Sequence, residues 1–169
     1  MFTNRVRQLI TAFLQGLPLM ATIEEFEPPK VDFETEEMRG GRFLAEEMAV
    51  GMKALTAKLT LNGIGLPIIT ALGVSGGDEV MLTVQEAGED QDGNEWFTYH
   101  IVSGKLKVFE EKTLKMKDKP VTVLELMVRS YQRLENGIPV IDLDTRTQKV
   151  VVNGVDQLKG ARRLALLST

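Results

Sequence analysis

The sequence predicts a mainly β fold: a sandwich- or barrel-like body with one long β-hairpin and one or two short helices. Three observations carry this. Two strand-like arms between Val31 and Gly63 meet at Arg39-Gly40-Gly41-Arg42. Val80, Leu82 and Val84 alternate with Met81, Thr83 and Gln85, the period of a strand with one buried face. Asn-Gly pairs at Asn62-Gly63, Asn136-Gly137 and Asn153-Gly154 are tight-turn signals, consistent with consecutive antiparallel strands.

The elements follow in chain order. Val6, Leu9, Ile10, Phe13, Leu14 and Leu17 fit a helical spacing, yet Gly16 and Pro18 interrupt it, so helix and strand both stay open there. Pro28-Pro29 removes two backbone donors and stiffens the entry to the first arm. On that arm Val31 and Phe33 alternate with Asp32, Glu34 and Glu36; the second runs from Ala45 through Met52 and on through Leu55, Ala57, Leu59 and Leu61. A two-stranded ribbon is marginal alone and leaves its edge N–H and C=O groups unpaired, so residues 31–63 are expected to form a surface ribbon that awaits a partner. Leu66 to Leu72, with Pro67 near its start and Gly73 past its end, reads as a short helix.

Beyond it, Val80 begins a strand that runs into a hairpin loop at Gly88–Asn94, and Trp96 to Phe109 returns with a bulge expected at Gly104. Lys112 to Lys119 is a basic connector. Val121 to Leu134 has apolar residues on both parities, which predicts a central strand covered on both faces. Val140–Leu143 and Lys149–Val152 complete a single domain spanning residues 1–169.

Composition narrows the function. Twenty Lys and Arg against 24 Asp and Glu give a formal charge of −4, which argues against a protein that grips nucleic-acid phosphates. With no cysteine, disulfides, thiolate metal sites and thiol nucleophiles are excluded. No targeting segment or membrane span is read, and no cofactor is expected. His100, the only histidine, sits mid-strand and reads as a structural or surface residue rather than a catalytic one. Asp142 and Asp144 share a strand face and could hold a hard cation, although solvated carboxylates are the plainer reading. Gly63-Ile64-Gly65 lacks the third glycine of a dinucleotide loop and a P-loop lysine. The acidic face of Asp32, Glu34 and Glu36 has a plain reading too, as the charged side of an edge strand.

Seven motifs in one order tip the balance: Phe13-Leu-Gln-Gly16, Pro29-Lys-Val31, Thr35 to Gly41, Ala54 to Gly63, the helix ending Leu72-Gly73, Ser130-Tyr131 to Asn136-Gly137, and Val152 to Gly160 followed by Arg162. In this order the chain resembles the major tail tube proteins of contractile-tailed bacteriophages, a group that includes the tubes of R-type bacteriocins. The resemblance implies rings of six that stack into a tube, with each long hairpin joining its neighbours' in a continuous barrel around the lumen. Closure removes the edges. It further implies a virion protein, assembled in the host cytoplasm, that meets sheath, tape measure, baseplate and tail terminator proteins and lets DNA pass without specific binding. Residues 31–63 would form the lumen, Asp32, Glu34 and Glu36 would face it, and Arg39, Gly40, Gly41 and Arg42 would lie at the tip between subunits. The rival readings are a type VI secretion or bacteriocin-like tube and, from another class, a small metal-dependent β-barrel hydrolase using Asp142 and Asp144.

Overall fold

A computed structural model describes residues 3–20, 22–63 and 79–165. The helix read at Leu66–Leu72 lies outside the described residues. The N-terminal segment is a strand, β1 (Arg5–Leu14), followed by β2 (Leu17–Pro18) and β3 (Ile23–Glu27). The strand wins at β1 because β7 (Val80–Asp90) supplies the backbone partners from Arg5↔Asp90 to Leu14↔Leu82, and alternation then buries Ala12 and Leu14. Gln15 and Gly16 take φ of 50° and 82° to turn the chain into β2, the left-handed region glycine enters without strain.

The other strands of the main sheet are β6 (Thr56–Asn62), β8 (Glu95–Glu111), β9 (Val121–Glu135), β10 (Ile138–Asp144), β11 (Lys149–Val152) and β12 (Val155–Asp156). Among the described residues ten strands form one antiparallel sheet in the order β12-β11-β10-β9-β8-β7-β1-β2, with β6 branching from β9 and β3 pairing β6. Central β9 pairs with β8 along one edge. On its other edge the first half pairs with β6 and the second with β10. The branch folds β6 and β3 over the sheet, so Leu59 and Leu61 join Leu14, Leu82, Val84, Val102 and Tyr131 in one core.

Two-sided coverage of β9 is narrower than its composition suggests. Only Thr122, Val123 and Leu124 are buried in succession. Register slips opposite Ser103 and Gly104, where Arg129 is the extra residue on β9. This bulge switches the inward parity from Leu124, Leu126 and Val128 to Tyr131, and the switch explains the apolar residues on both parities. The bulge expected at Gly104 is therefore present, with the inserted residue on the partner strand. A Cβ on Gly104 would lie 2.1 Å from the Met127 carbonyl oxygen, which is why glycine stands there.

The Asn-Gly pairs divide. Asn136-Gly137 (φ 50° and 81°) and Asn153-Gly154 (55° and 79°) form the tight β9–β10 and β11–β12 turns. Asn62 ends β6 instead, and Gly63 (φ 83°) donates its N–H to the Pro120 carbonyl at 2.6 Å. After β12 comes helix α1 (Lys159–Leu164). Its Arg162, 5% exposed, forks onto the Asp156 carboxylate and donates to the Gln148 carbonyl at 3.1 Å. That fork holds the Asp156 carboxyl below the usual carboxylate range.

Candidate assembly surface

The expected ribbon divides at Met52. β4 (Phe33–Met38) and β5 (Glu46–Met52) form a two-stranded sheet of their own, exposed along both strands except for half-buried Met52. The second half of the expected arm, Thr56–Asn62, is β6 and belongs to the core sheet, where Ala57, Leu59 and Leu61 are almost fully buried. The break comes at Lys53–Leu55, where the chain leaves one sheet for the other. Among the described residues nothing pairs with either outer edge of the ribbon.

Register assigns the ribbon's faces. Phe33↔Met52, Thr35↔Ala49 and Glu37↔Glu47 share one side; Glu34↔Gly51, Glu36↔Met48 and Met38↔Glu46 share the other. Between them Val50 is inserted as a bulge. Simple alternation would put Glu46 and Met48 with Met52, whereas the bulge moves Glu46 across to join Glu34 and Glu36. Sequence reading missed Glu46 for that reason; Gly51 beside the bulge was its one signal.

At the ribbon's base, Phe33, Ala49 and Met52 look into a groove of about 450 Å³ that Val150, Gln157 and Leu158 also line. The side with Glu34, Glu36 and Glu46 therefore points away from the body. Asp32 lies on that side as well, but it is neutralised by Lys53 at 3.5 Å, whose N–H donates to the Asp32 carbonyl. At the tip Arg39 reaches Glu37 at 3.2 Å and the Phe43 carbonyl at 2.9 Å, while Arg42 reaches Glu46 at 3.3 Å. Gly40, at φ 59°, makes the turn that the Arg42 N–H to Arg39 carbonyl bond closes, and Gly41 is open to solvent. Phe43 is 100% and Leu44 81% exposed, two tip residues that the sequence did not single out.

The remaining candidates are structural. His100, 4% exposed, accepts from the Tyr131 hydroxyl at Nδ1 (2.9 Å) and donates from Nε2 to the Glu86 carboxylate (3.3 Å), which also takes the Arg7 guanidinium. Burial holds the imidazole below its usual pKa and pushes the Tyr131 hydroxyl up to about 12. Asp142 is committed to Lys149 at 2.7 Å, and Asp144 caps its turn by accepting from the Arg146 N–H at 2.8 Å. Those commitments leave the hydrolase reading without a site among the described residues.

No curated protein matches the chain in sequence. In structure it is similar to a chain of the six-fold symmetrised anti-feeding prophage baseplate, at a TM-score of 0.59 and 12% identity, covering 79% of this chain and 97% of that one. It is also similar to chains of an extracellular contractile injection system, PVC. One comes from the extended sheath–tube complex (TM-score 0.55, 11% identity, 75% and 88% covered) and one from the sheath/tube terminator (0.56, 13%, 75% and 93%). At these identities the likeness shows the fold. The model of the phage tail tube protein FII family matches residues 5–165, and the chain belongs to this family of structural, non-enzymatic tail tube proteins.

Proposed function

We propose that the chain forms rings of six that stack into the inner tube of a contractile phage tail, the conduit for DNA into the host. The observation that carries the reading is the β4–β5 ribbon, exposed along both strands except at half-buried Met52 and, among the described residues, unpaired on both outer edges. A pair this exposed can gain its missing hydrogen bonds from other chains, and a closed ring of ribbons leaves no lateral edge. A six-fold symmetrised baseplate and a sheath–tube complex are what the similar solved structures are described as, and both suit this reading.

The side with Asp32, Glu34, Glu36 and Glu46 would then line the lumen, since the other side turns toward the body at its base; Asp32 is paired with Lys53 and Glu46 with Arg42, so Glu34 and Glu36 would carry most of its charge. Repeated carboxylates would repel the phosphate backbone within about 8 Å of the wall at physiological salt, which lets DNA slide and does not propel it. Sheath, tape measure, baseplate and tail terminator proteins would be the partners, with assembly in the host cytoplasm and no insertion into membrane. Negative-stain microscopy of the purified protein tests the reading: rings or hollow tubes are expected, and monomers alone at every concentration would refute it. Likeness to chains of an extracellular contractile injection system favours the rival reading, the tube of a type VI secretion or bacteriocin-like contractile injection machine. Particles packed with DNA or with protein would separate the two.

A further inference from the structure

One broad face of the main sheet carries no charge. β1, β7, β8 and β9 lie side by side, and their register puts Leu9, Ala87 and Phe97 in one cross-strand row and Thr11, Gln85, Tyr99 and Leu134 in the next. Alternation continues this face to Phe13, Met81, Ser103 and Ser130, and no position on it is Asp, Glu, Lys or Arg, although such residues make up 26% of the chain. Charges begin at its margins. Glu89 and Glu95 pair beyond the Leu9 row, Glu79 with Arg129 and Arg146 lies near Met81, and Asp142 with Lys149 stands beside Gln132.

Leu9 is 60%, Met81 52%, Phe13 40% and Phe97 37% exposed on this face. An apolar centre within a charged margin is the anatomy of a protein contact. The opposite side of the same strands is the core side, where Leu59 of β6 joins Leu82, Val84 and Val102, and where Phe26 of β3 lies 5.6 Å from His100 between ring centroids. Along the chain β3 leads into β4 and β5 into β6, so the layer over the core side is the one that carries the ribbon. With the ribbon at the lumen, the uncharged face looks away from the lumen.

We propose that this uncharged face is where the protein enclosing the tube, the sheath subunit, packs on this chain. This rests on the tube reading above and gives the sheath contact both a place and a chemistry: apolar side chains with neutral hydroxyls and amides, and no ion pair at the centre. Strands about 4.8 Å apart, rising about 3.3 Å per residue, give the face about 400 Å². One partner in a stable pairwise interface buries about 800 Å². The face is therefore too small to hold two free copies together, whereas repetition on every subunit of a tube sums many weak contacts on one enclosing assembly. A contact of this kind persists at high salt, unlike one between exposed charges. It also leaves no desolvated charge without its partner when the sheath lets go.

Two variants test it, each co-expressed with the sheath protein of the same phage. One carries Leu9→Lys with Phe97→Lys at exposed positions; the other carries Gln85→Arg at the centre of the face, where the residue replaced is already polar. Both should be folded by circular dichroism and should form bare tubes in normal number by microscopy, with sheathed tubes reduced about tenfold, a loss of about 1.4 kcal/mol in apparent affinity. Sheathing of wild-type tubes should change little when salt rises from about 0.1 M to about 1 M, although the Debye length falls about threefold. Normal sheathing of both variants, or wild-type sheathing lost at high salt, would overturn the assignment while leaving the tube reading standing. Folded variants that no longer form rings or tubes would overturn it too, by giving the face to another copy of this chain, and unfolding of both variants would give it to the chain's own residues. A wild-type chain that forms neither rings nor tubes would instead refute the tube reading itself.

Discussion

Removing the ribbon should abolish assembly and leave the subunit folded. The perturbation is deletion of Met38–Met48 with Glu36→Asn and Glu37→Gly, so that the paired residues Thr35 and Ala49 are joined by a two-residue Asn-Gly turn. The deleted residues are exposed apart from half-buried Ala45 and pair only within the ribbon, so losing them should shift stability by about 0.5 kcal/mol or less. Leu59→Ala in the core sheet is the contrast. Leu59 is 1% exposed, and truncating such a leucine costs about 2–5 kcal/mol. At the size of this chain, 1 kcal/mol moves Tm by about 2–4 °C. The deletion should therefore move Tm by about 2 °C at most, and Leu59→Ala by roughly 4–20 °C. Both are measured in the unassembled state, with Leu59→Ala built into the deletion background, because association raises apparent stability by mass action. Circular dichroism melts report folding, and sedimentation with microscopy reports rings. Unfolding of the deletion variant, or a Leu59→Ala shift as small as that of the deletion, would refute the division of residues 31–63 at Met52.

Glu34→Lys with Glu36→Lys should still assemble, but the change of four charges per subunit should make the lumen hold DNA, with slow or incomplete ejection that high salt partly rescues; normal ejection from well-formed particles would place this face elsewhere. Gly104→Ala should lower stability by about 3 kcal/mol in urea unfolding, since its Cβ meets the Met127 backbone at 2.1 Å, whereas Gly41→Ala, with nothing within 4 Å, should be neutral. His100 should give an acid-side pH dependence: its folded pKa lies below the unfolded value of 6.5, so its contribution is constant above pH 6.5 and is lost as pH falls through the folded pKa. Urea midpoints should therefore drop from pH 7 to pH 5 in the wild type more than in His100→Gln. Equal slopes would show that Glu86, Tyr131, Arg7 and Arg133 around the ring leave its proton affinity unchanged.

Local pattern carried most of the strands, because alternation and turn chemistry act between near neighbours. Val80–Val84, the β9 centre, the Asn136-Gly137 and Asn153-Gly154 turns and the bare hairpin all follow from residues whose period or φ requirement is visible in the chain. The family could be read from the order of seven short motifs, one of which ends in the Arg162 that clamps Asp156.

What needed the third dimension was everything set by pairing between distant segments. The helical spacing of Val6 to Leu17 lost to strand β1 because β7, some seventy residues away, offers it a full ladder. Residues 31–63 alternate without a visible seam, yet β9 takes Thr56–Asn62 into the core and leaves Phe33–Met52 outside. Bulges at Val50 and Arg129 reverse the parity of everything beyond them, which sends Glu46 to the acidic face and Tyr131 to the core. A one-residue slip exchanges the two faces of a strand, and the linear pattern marks its neighbourhood only through a glycine beside it, Gly51 and Gly104 here, without saying which residue is inserted.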